Sequence, residues 1–170
     1  MPRLQELSGE ELHARAVRVF RRGGGSRPEV VLVRDGPEEA VLKDYSRTDP
    51  AFRRFIGPLL VRREAQALRL LDDLPGVPQL ISVVNREALL IEHIDAPSAR
   101  DLKPGAFAPE FFQRFYALID AMHARGVAHC DLHPDNVIMT AEGPRLIDWT
   151  GAKRGGALLD LACCHFLTTE

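Results

Sequence analysis

Two carboxylates and one amide side chain in the second half of the chain have the types and spacing that phosphoryl transfer requires. Four residues separate Asp131 from Asn136, and Asp148 follows at the end of the next strand-like segment. The first aspartate can orient an attacking hydroxyl and accept its proton. The asparagine oxygen and the second aspartate can hold Mg²⁺ ions that bridge nucleotide phosphates. Because such a reaction depends on gathering charge around phosphates, this pattern predicts a phosphotransferase site.

The segments on either side of these residues predict how they are positioned. A helix opens at Pro109-Glu110, where proline suits the first turn and an acid suits the positive helix end, and Gly126 ends it. The apolar residues of one helix face are expected core positions: Phe112, Phe115, Ile119 and Met122. Residues 137–140 and 145–147 flank a turn and predict a hairpin, which would return the chain and place Asp148 near Asn136.

The first half of the chain predicts a sheet of five strands. Ser8-Gly9-Glu10-Glu11 is a capping box that opens a short helix before the sheet, with Leu7 and Leu12 spaced for a hydrophobic staple. Apolar and β-branched runs between turn residues mark the five strands: residues 17–20, 30–33, 40–43, 81–84 and 88–91. The first three form an antiparallel meander, and a helix from about Leu59 to Leu74 precedes the last two.

Gly23-Gly24-Gly25 lies between the first two predicted strands and fits two readings. Glycine lets backbone N–H groups approach an anion closely, so the turn can cover nucleotide phosphates. It can equally be an ordinary hairpin turn, because Pro28 stands where a further glycine would complete the phosphate-binding pattern. Its place ahead of the strand that ends at Lys43 favours the nucleotide-covering loop.

Lys43 ends a predicted strand, and Glu64 lies on the apolar face of the helix that follows. Leu60, Leu68 and Leu71 share that face. A carboxylate on an apolar face requires a cationic partner, because burying it alone is costly. Lys43 is the candidate partner and would then present its ammonium to nucleotide phosphates. The alternative is a surface pair between Glu64 and a neighbouring arginine.

Composition argues against several other classes of protein. The chain has 170 residues, 45% hydrophobic and 27% charged, and its net charge of −2 gives no electrostatic reason to expect nucleic acid as a partner. No apolar run approaches the length of a transmembrane segment, although a peripheral membrane association stays open. Cys130, Cys163 and Cys164 show no metal-binding spacing, and we expect a soluble, cytoplasmic protein.

Taken in order, these motifs resemble those of the protein-kinase-like superfamily. The likeness extends over residues 17–161 and is specific from Leu118 to Asp131, where the helix runs into the loop as Leu-Ile-Asp-Ala-Met-His-Ala-Arg-Gly-Val-Ala-His-Cys-Asp. The chain looks most similar to the compact RIO-type and bacterial lipopolysaccharide-core kinases. The loop Asp-Leu-His-Pro-Asp-Asn, from Asp131 to Asn136, resembles that of the aminoglycoside phosphotransferases.

The resemblance implies a nucleotide site with ATP and Mg²⁺ as cofactors. The implied catalytic residues are Asp131 as base, Lys43 on the α- and β-phosphates, and Glu64 holding Lys43. The implied metal ligands are Asn136 and Asp148. The implied nucleotide contacts, besides Lys43, are Gly23, Gly24, Gly25, the gatekeeper Ile91, the Glu92 carbonyl and the Ile94 amide.

The resemblance also implies an α+β, two-lobed, protein-kinase-like fold in a single domain spanning residues 1–170. We expect a five-stranded antiparallel sheet plus a helix in an N-terminal lobe (1–91). A hinge (92–97), which the sequence alone also allows to be an ordinary linker, leads to a reduced, mainly helical C-terminal lobe (98–170). A final helix from Ala157 to Thr168 would carry Asp160, to which the resemblance gives a structural role.

Departures from the family pattern narrow the expected function. His133 stands where typical serine/threonine kinases carry lysine, and Trp149-Thr150 replaces Phe-Gly after the metal aspartate, as atypical kinases tolerate. The 22 residues after Asp148 leave no room for a long activation loop. We therefore expect an acceptor hydroxyl on a protein serine or threonine, a sugar or a lipid-linked saccharide, with a substrate side that a partner chain can complete. The alternative is a kinase-like module that binds nucleotide or a partner without transfer.

The histidines around the catalytic loop are expected to be structural rather than zinc ligands. His123, His129 and His133 would brace the backbone and the core of this region. His165 lies in an apolar run and is expected to be a core residue.

Overall fold

The computed structural model describes residues 3–103 and 108–161, which divide into two compact units. The first unit comprises the described residues of Met1–Ala65 and Gln79–His93, and the second comprises those of Gln66–Pro78 and Ile94–Glu170. Residues 66–78 thus group with the second unit although they precede the end of the first. The boundaries of lobes and hinge drawn from the sequence stay a prediction.

An antiparallel five-stranded sheet forms the frame of the first unit, in the order β1-β2-β3-β5-β4. Its strands are β1 Ala16–Arg21, β2 Glu29–Asp35, β3 Glu38–Asp44, β4 Leu80–Asn85 and β5 Ala88–Glu92. The predicted sheet and its initial meander are confirmed. The regular register between β2, β3 and β5 makes β3 the central strand, so Lys43 lies within a fully paired part of the sheet.

The N-terminal segment covers one face of this sheet. Helix α1, Gly9–Ala14, begins at the predicted capping box, in which the Ser8 amide donates to Glu11 Oε2 over 2.8 Å and Ser8 Oγ accepts from the Glu11 amide over 3.3 Å. The bonds that the Ser8 amide and the Ser8 hydroxyl donate to the Glu11 carboxylate lower the pKa of Glu11. The core beneath the segment consists of Leu4, Leu7, Leu12, Val31, Val33, Ala40, Leu42, Ala88 and Leu90. Because side chains alternate along a strand, Lys43 points to the other face.

Helix α2, Gly57–Leu70, differs from its predicted bounds at both ends. A π-type turn, Phe52–Ile56, precedes it and begins where the Arg53 amide donates to the Asp49 carbonyl over 2.8 Å. Asp49 followed by proline is a helix-start signal that the sequence prediction missed. The helix stops before residue 74 because Pro75 cannot continue it and disfavours helical backbone in the residue ahead.

The described part of the second unit contains one long helix and two short strand pairs. Helix α3 is Pro109–Ala124, and the strands are β6 Val127–Ala128, β7 Val137–Thr140, β8 Gly143–Leu146 and β9 Lys153–Arg154. The predicted helix and the β7–β8 hairpin are confirmed, but the predicted core face of α3 is wrong at Phe112, which is 45% exposed, whereas Leu118 and Met122 are buried. The β6–β9 pair was not predicted, because two-residue strands carry no periodic signal. Residues 157–161 are helical; the remainder of the predicted final helix, with Cys163, Cys164 and His165, lies outside the described residues.

No helix in the described ranges is both long and apolar enough to cross a membrane. This finding concerns residues 3–103 and 108–161.

Gly76 should be one of the least replaceable residues of the second unit. Its φ of +98° favours glycine, and an added Cβ would lie 2.8 Å from a Leu118 methyl and 3.0 Å from the Pro144 carbonyl oxygen. We expect Gly76→Ala to lower the free energy of unfolding by about 2–4 kcal/mol, from backbone strain and overpacking together. The matched control is Gly126→Ala, where φ is +70° with open space around the added atom, and about 1–2 kcal/mol is expected. Equal losses in urea titrations of the two variants would contradict the role of the close contact.

Candidate active site

Lys43 and Glu64 form a buried ion pair in the first unit. Lys43 Nζ lies 2.8 Å from Glu64 Oε2 and 3.1 Å from Oε1, and the two side chains are only 5% and 1% exposed. Glu64 lies on the buried face of α2 with Val61, Ala65 and Leu68. Such burial favours the predicted partner Lys43 over a surface arginine, because each charge compensates the desolvation of the other. The role of the pair in aligning phosphates stays a prediction.

The glycine turn of the first unit is tightly folded. The Gly24 and Arg27 backbones exchange hydrogen bonds of 3.1 and 2.9 Å, and the Asp49 amide donates to the Gly25 carbonyl over 2.8 Å. Gly25 has a φ of +56°, which explains glycine at that position. This geometry is compatible with both readings of the turn, so its contact with phosphate stays a prediction.

The residues predicted to face adenine lie at the end of β5 and just beyond it. Ile91 is 9% exposed and pairs with Val41 in the sheet. The Glu92 amide donates to the Gln79 carbonyl over 2.9 Å, and Glu92 Oε2 accepts from the Gln79 amide over 3.0 Å. These bonds hold the end of β5. Contacts of Ile91, Glu92 and Ile94 with a nucleotide stay predictions.

In the second unit, Asn136 braces the loop that carries Asp131. Its Nδ2 group lies 2.9 Å from the Asp131 carbonyl oxygen, 3.0 Å from Asp131 Oδ2 and 3.0 Å from His133 Nε2. Asn136 is 6% exposed, whereas the Asp131 side chain is 39% exposed. These three bonds use the amide nitrogen and not the amide oxygen, which is the atom of the side chain suited to bind Mg²⁺.

Asp148 adjoins Asn136 through the backbone. The Ile147 amide donates to the Asn136 carbonyl over 2.9 Å, which continues the β7–β8 hairpin and brings Asp148 beside the loop, as predicted. Asp148 has a left-handed backbone with a φ of +60°, and its Oδ1 accepts from Thr150 Oγ1 over 2.6 Å. A carboxylate and an amide oxygen here fit the ligand preferences of Mg²⁺, so Asp148 and Asn136 could hold the metal.

Asp160 holds the start of the loop that carries Asp131. Its carboxylate accepts from the amides of His129 and Cys130 over 3.1 and 2.6 Å, and His123 Nε2 lies 2.6 Å from it. Cys130 has a φ of +63°, which costs a non-glycine residue about 1–3 kcal/mol. The Asp160 bonds offset this strain at the residue that immediately precedes Asp131. The resemblance implied a structural role for Asp160, and these bonds to the loop backbone are consistent with that role.

His129 joins the loop that carries Asp131 to the strand that leads to Asp148. It is fully buried, its Nε2 donates to the Ile147 carbonyl over 2.9 Å, and its Nδ1 has no hydrogen-bond partner within the described residues. Its ring centroid lies 4.6 Å from that of the fully buried Trp149, and Trp149 Nε1 donates to the Leu146 carbonyl over 3.0 Å. Desolvation lowers the pKa of His129, so the imidazole is neutral at pH 7.

The structure thus brings together two groups of the residues predicted from sequence. Gly23, Gly24, Gly25, Lys43, Glu64, Ile91 and Glu92 belong to the first unit, and Ile94, Asp131, Asn136 and Asp148 belong to the second. Sequence reasoning missed Gly151, whose added Cβ would lie 3.3 Å from the His129 carbonyl oxygen and 3.7 Å from Asp131 Cβ. The described ranges contain no cluster of three or more His, Cys, Asp or Glu side chains arranged to hold a metal ion.

Known proteins are similar to this chain in sequence and in fold. Residues 85–170 match the model of a phosphotransferase enzyme family. The casein kinase II subunit alpha' of Saccharomyces cerevisiae is 27% identical over 109 residues, which are 56% of this chain and 32% of that protein. The CBL-interacting protein kinase 16 of Oryza sativa subsp. japonica is 29% identical over 90 residues, 49% of this chain and 20% of that protein.

Two solved structures of the Rio2 kinase from Chaetomium thermophilum share the fold. One has a TM-score of 0.69 at 18% identity and covers 92% of this chain and 59% of its own. The other, a complex with ADP/Mg²⁺ and phosphoaspartate, has a TM-score of 0.64 at 17% identity and covers 97% and 61%. The predicted protein-kinase-like, RIO-type fold is confirmed. The chain spans a third or less of the two curated relatives and about three fifths of the Rio2 chains.

Replacing Asp160 should specifically destabilise the loop that carries Asp131. Asp160→Asn keeps the shape but loses the charge and turns one acceptor into a donor facing backbone N–H groups. We expect the free energy of unfolding to fall by about 2–4 kcal/mol and the His129 and Cys130 amides to exchange hydrogen faster. The control is Asp120→Asn on an exposed position of α3, which should change neither quantity. Unchanged exchange at the two loop amides would refute the anchoring role.

Burial of His129 predicts a loss of stability in mild acid. Because its pKa is lowered in the folded protein, the unfolded chain binds a proton near pH 6.5 that the folded chain still excludes. The contribution is fully present above about pH 6.5 and is lost as the pH falls towards the folded pKa. We expect the Tm of the native chain to fall more between pH 7 and pH 5 than that of His129→Gln. Parallel profiles by circular dichroism would contradict the neutral, buried imidazole.

Proposed function

Since the chain belongs to the phosphotransferase enzyme family, we propose that it transfers the γ-phosphoryl group of ATP, with Mg²⁺, to an acceptor hydroxyl. The observation that carries this proposal is the arrangement of the loop from Asp131 to Asn136 beside Asp148. One buried amide side chain braces the exposed carboxylate of Asp131 through its nitrogen, and the backbone bond from Ile147 to Asn136 brings the second carboxylate alongside.

Each residue has a defined part in this reaction. Asp131 orients the acceptor hydroxyl and takes its proton. Asn136 Oδ1 and the Asp148 carboxylate would hold Mg²⁺, which would supply positive charge to the phosphates when bound. Lys43, held by Glu64, contacts the α- and β-phosphates. Their part is electrostatic, because phosphoryl transfer requires positioning more than covalent participation by the protein.

The nucleotide contacts complete the proposal. The glycine turn, Gly23 to Gly25, covers phosphates with backbone N–H groups, and the Glu92 carbonyl and the Ile94 amide meet the adenine edge beside Ile91. The similar fold of a Rio2 kinase complex that contains ADP/Mg²⁺ supports nucleotide and Mg²⁺ as ligands.

The acceptor is a protein hydroxyl or a saccharide, including a lipid-linked one. His133 lies 3.5 Å from both Asp131 Oδ2 and Asp135 Oδ2, in the position where typical serine/threonine kinases carry lysine. A partner chain could complete the substrate side. The class of acceptor can be tested by incubating the chain with labelled ATP and lysate fractions of protein, polar metabolites and lipids. Label should enter one of the three fractions with the native chain, and none of them with Asp131→Asn.

A second candidate is a kinase-like module that binds nucleotide or a partner without transfer. Under this alternative, Mg²⁺-dependent ATP binding persists and no fraction acquires label.

Substitution of the proposed base and metal ligand should abolish turnover selectively. We expect Asp131→Asn to lower kcat for ATP turnover by roughly 10²–10⁴-fold, because it removes the proton acceptor, and Asp148→Ala to lower it at least as much. Asp135→Asn is the matched control in the same loop, since Asp135 is half-exposed and pairs with Arg100; its kcat should stay within about twofold. Equal kcat values for the native chain and the three variants, measured with Mg²⁺ by coupled assay, would contradict the catalytic assignment.

Binding of Mg²⁺ and ATP should stabilise the folded chain through the proposed contacts. At about 100 times the dissociation constant, a ligand that binds only the folded state adds about 2.7 kcal/mol to the free energy of unfolding. We expect a corresponding rise in Tm with ATP and Mg²⁺ together. The rise should be much smaller for Glu64→Gln, because loss of the Glu64 carboxylate leaves Lys43 without the charge that positions it. A rise in Glu64→Gln equal to that of the native chain would argue against the role of the ion pair.

A further inference from the structure

A buried charged network lies on the sheet face opposite Lys43, and the proposed mechanism does not use it. His13, on α1, places its Nε2 2.8 Å from Asp44 Oδ2 and its Nδ1 3.6 Å from Glu29 Oε2. Glu29 and Asp44 are directly paired across β2 and β3, and they are only 6% and 5% exposed. One imidazole therefore contacts two buried carboxylates on neighbouring strands.

Other charged groups face the same two carboxylates. Arg47 Nη1 lies 3.2 Å from Glu29 Oε1, and Arg53, which is bonded to Glu87, interacts electrostatically with Asp44. These cationic groups come from the segments after β3, whereas His13 is the group that the N-terminal segment supplies. Since an imidazole ring presents a nitrogen on each of two edges, His13 can contact the carboxylates of both strands directly.

The network continues into the glycine turn. An added Cβ on Gly23 would lie 3.1 Å from Arg47 Cβ and 3.2 Å from Glu29 Cβ, so the turn packs directly on two members of the network. Asp44 also accepts from the Ser46 amide over 2.7 Å and from Ser46 Oγ over 2.8 Å. Those bonds begin the segment that ends at Asp49, whose amide bonds to the Gly25 carbonyl.

We propose that His13 is a positioning residue for nucleotide binding, because it joins Glu29 and Asp44 and so holds the two supports of the glycine turn in place. The proposal rests on the proposed function, in which that turn covers the phosphates. His13 itself touches no reacting group. Its effect passes along two paths: through Glu29 and Arg47 to Gly23, and through Asp44 and Ser46 to Asp49 and Gly25.

The test compares His13→Gln with a matched control on the same segment. Glutamine can donate to one carboxylate but cannot join two. The control is Arg15→Gln, which removes a contact of 3.4 Å between Arg15 and Asp35 at the opposite end of β2. We expect His13→Gln to raise hydrogen exchange at the Gly24, Arg27 and Asp49 amides roughly tenfold, with no change in Arg15→Gln.

The kinetic readout separates positioning from general stability. With saturating Mg²⁺, we expect His13→Gln to raise KM for ATP roughly tenfold while kcat changes less than about twofold, and Arg15→Gln to leave both within about twofold. Glu29→Gln, which keeps the side-chain shape and removes one bridged charge, should raise KM in the same direction and serves if His13→Gln folds poorly.

Several outcomes would overturn the proposal. Unchanged exchange in the turn of both His13→Gln and Glu29→Gln shows that the network does not hold it. Faster exchange with an unchanged KM shows that the turn does not position nucleotide. Similar effects in Arg15→Gln show a general loss of stability. If the native chain neither binds nor turns over ATP, the proposed function fails instead, while the exchange data still decide whether His13 holds the turn.

Discussion

Burying a charge is costly unless opposite charges or hydrogen-bond donors meet it, and this constraint governs how both units hold the residues of the candidate site. Lys43 and Glu64 are almost inaccessible to solvent and lie 2.8 Å apart, so the end of β3 and helix α2 are joined at one point. On the opposite sheet face, Asp44 is stable in the buried position because His13 meets it. In the second unit, Asp160 is compatible with burial because it accepts bonds from a histidine and two backbone amides. In each case the residue that satisfies the charge also positions an element of the candidate site.

The second unit combines these bonds with local backbone strain. Cys130 and Asp148 are the described non-glycine residues with positive φ, and they lie directly before Asp131 and directly after Ile147. Left-handed backbone is unfavourable for such residues, so it persists only where surrounding contacts impose it. Asp160 imposes it at the first position, and the continuation of the hairpin with the Thr150 bond supports it at the second. The resulting loop holds its carboxylates before any ligand binds, which is the preorganisation that electrostatic catalysis needs.

Features encoded by a few neighbouring residues could be predicted from the sequence, whereas most features that depend on distant contacts could not. The capping box at Ser8, the apolar runs of β2 and β3 and the hairpin before Asp148 are patterns within a few residues, and the structure contains all three. The bounds of α2 were wrong at both ends, because its extension through Phe52–Ile56 depends on a start at Asp49 that an apolar-periodicity search does not weigh. The ion pair of Lys43 could be predicted because a carboxylate on an apolar helix face has few alternatives.

The sequence by itself determined the order and types of the chemical groups: an aspartate, an asparagine and a second aspartate around a predicted hairpin, after a strand that ends in Lys43. It also determined that Lys43 and Asp44 lie on opposite faces of the sheet, because the period of a strand is two residues. Only the tertiary structure decided that His13 joins two carboxylates, that Asp160 holds the loop, and that His129 is neutral. Those facts depend on contacts between residues far apart in the chain and on the exclusion of water around them, and neither quantity has a signature in local spacing.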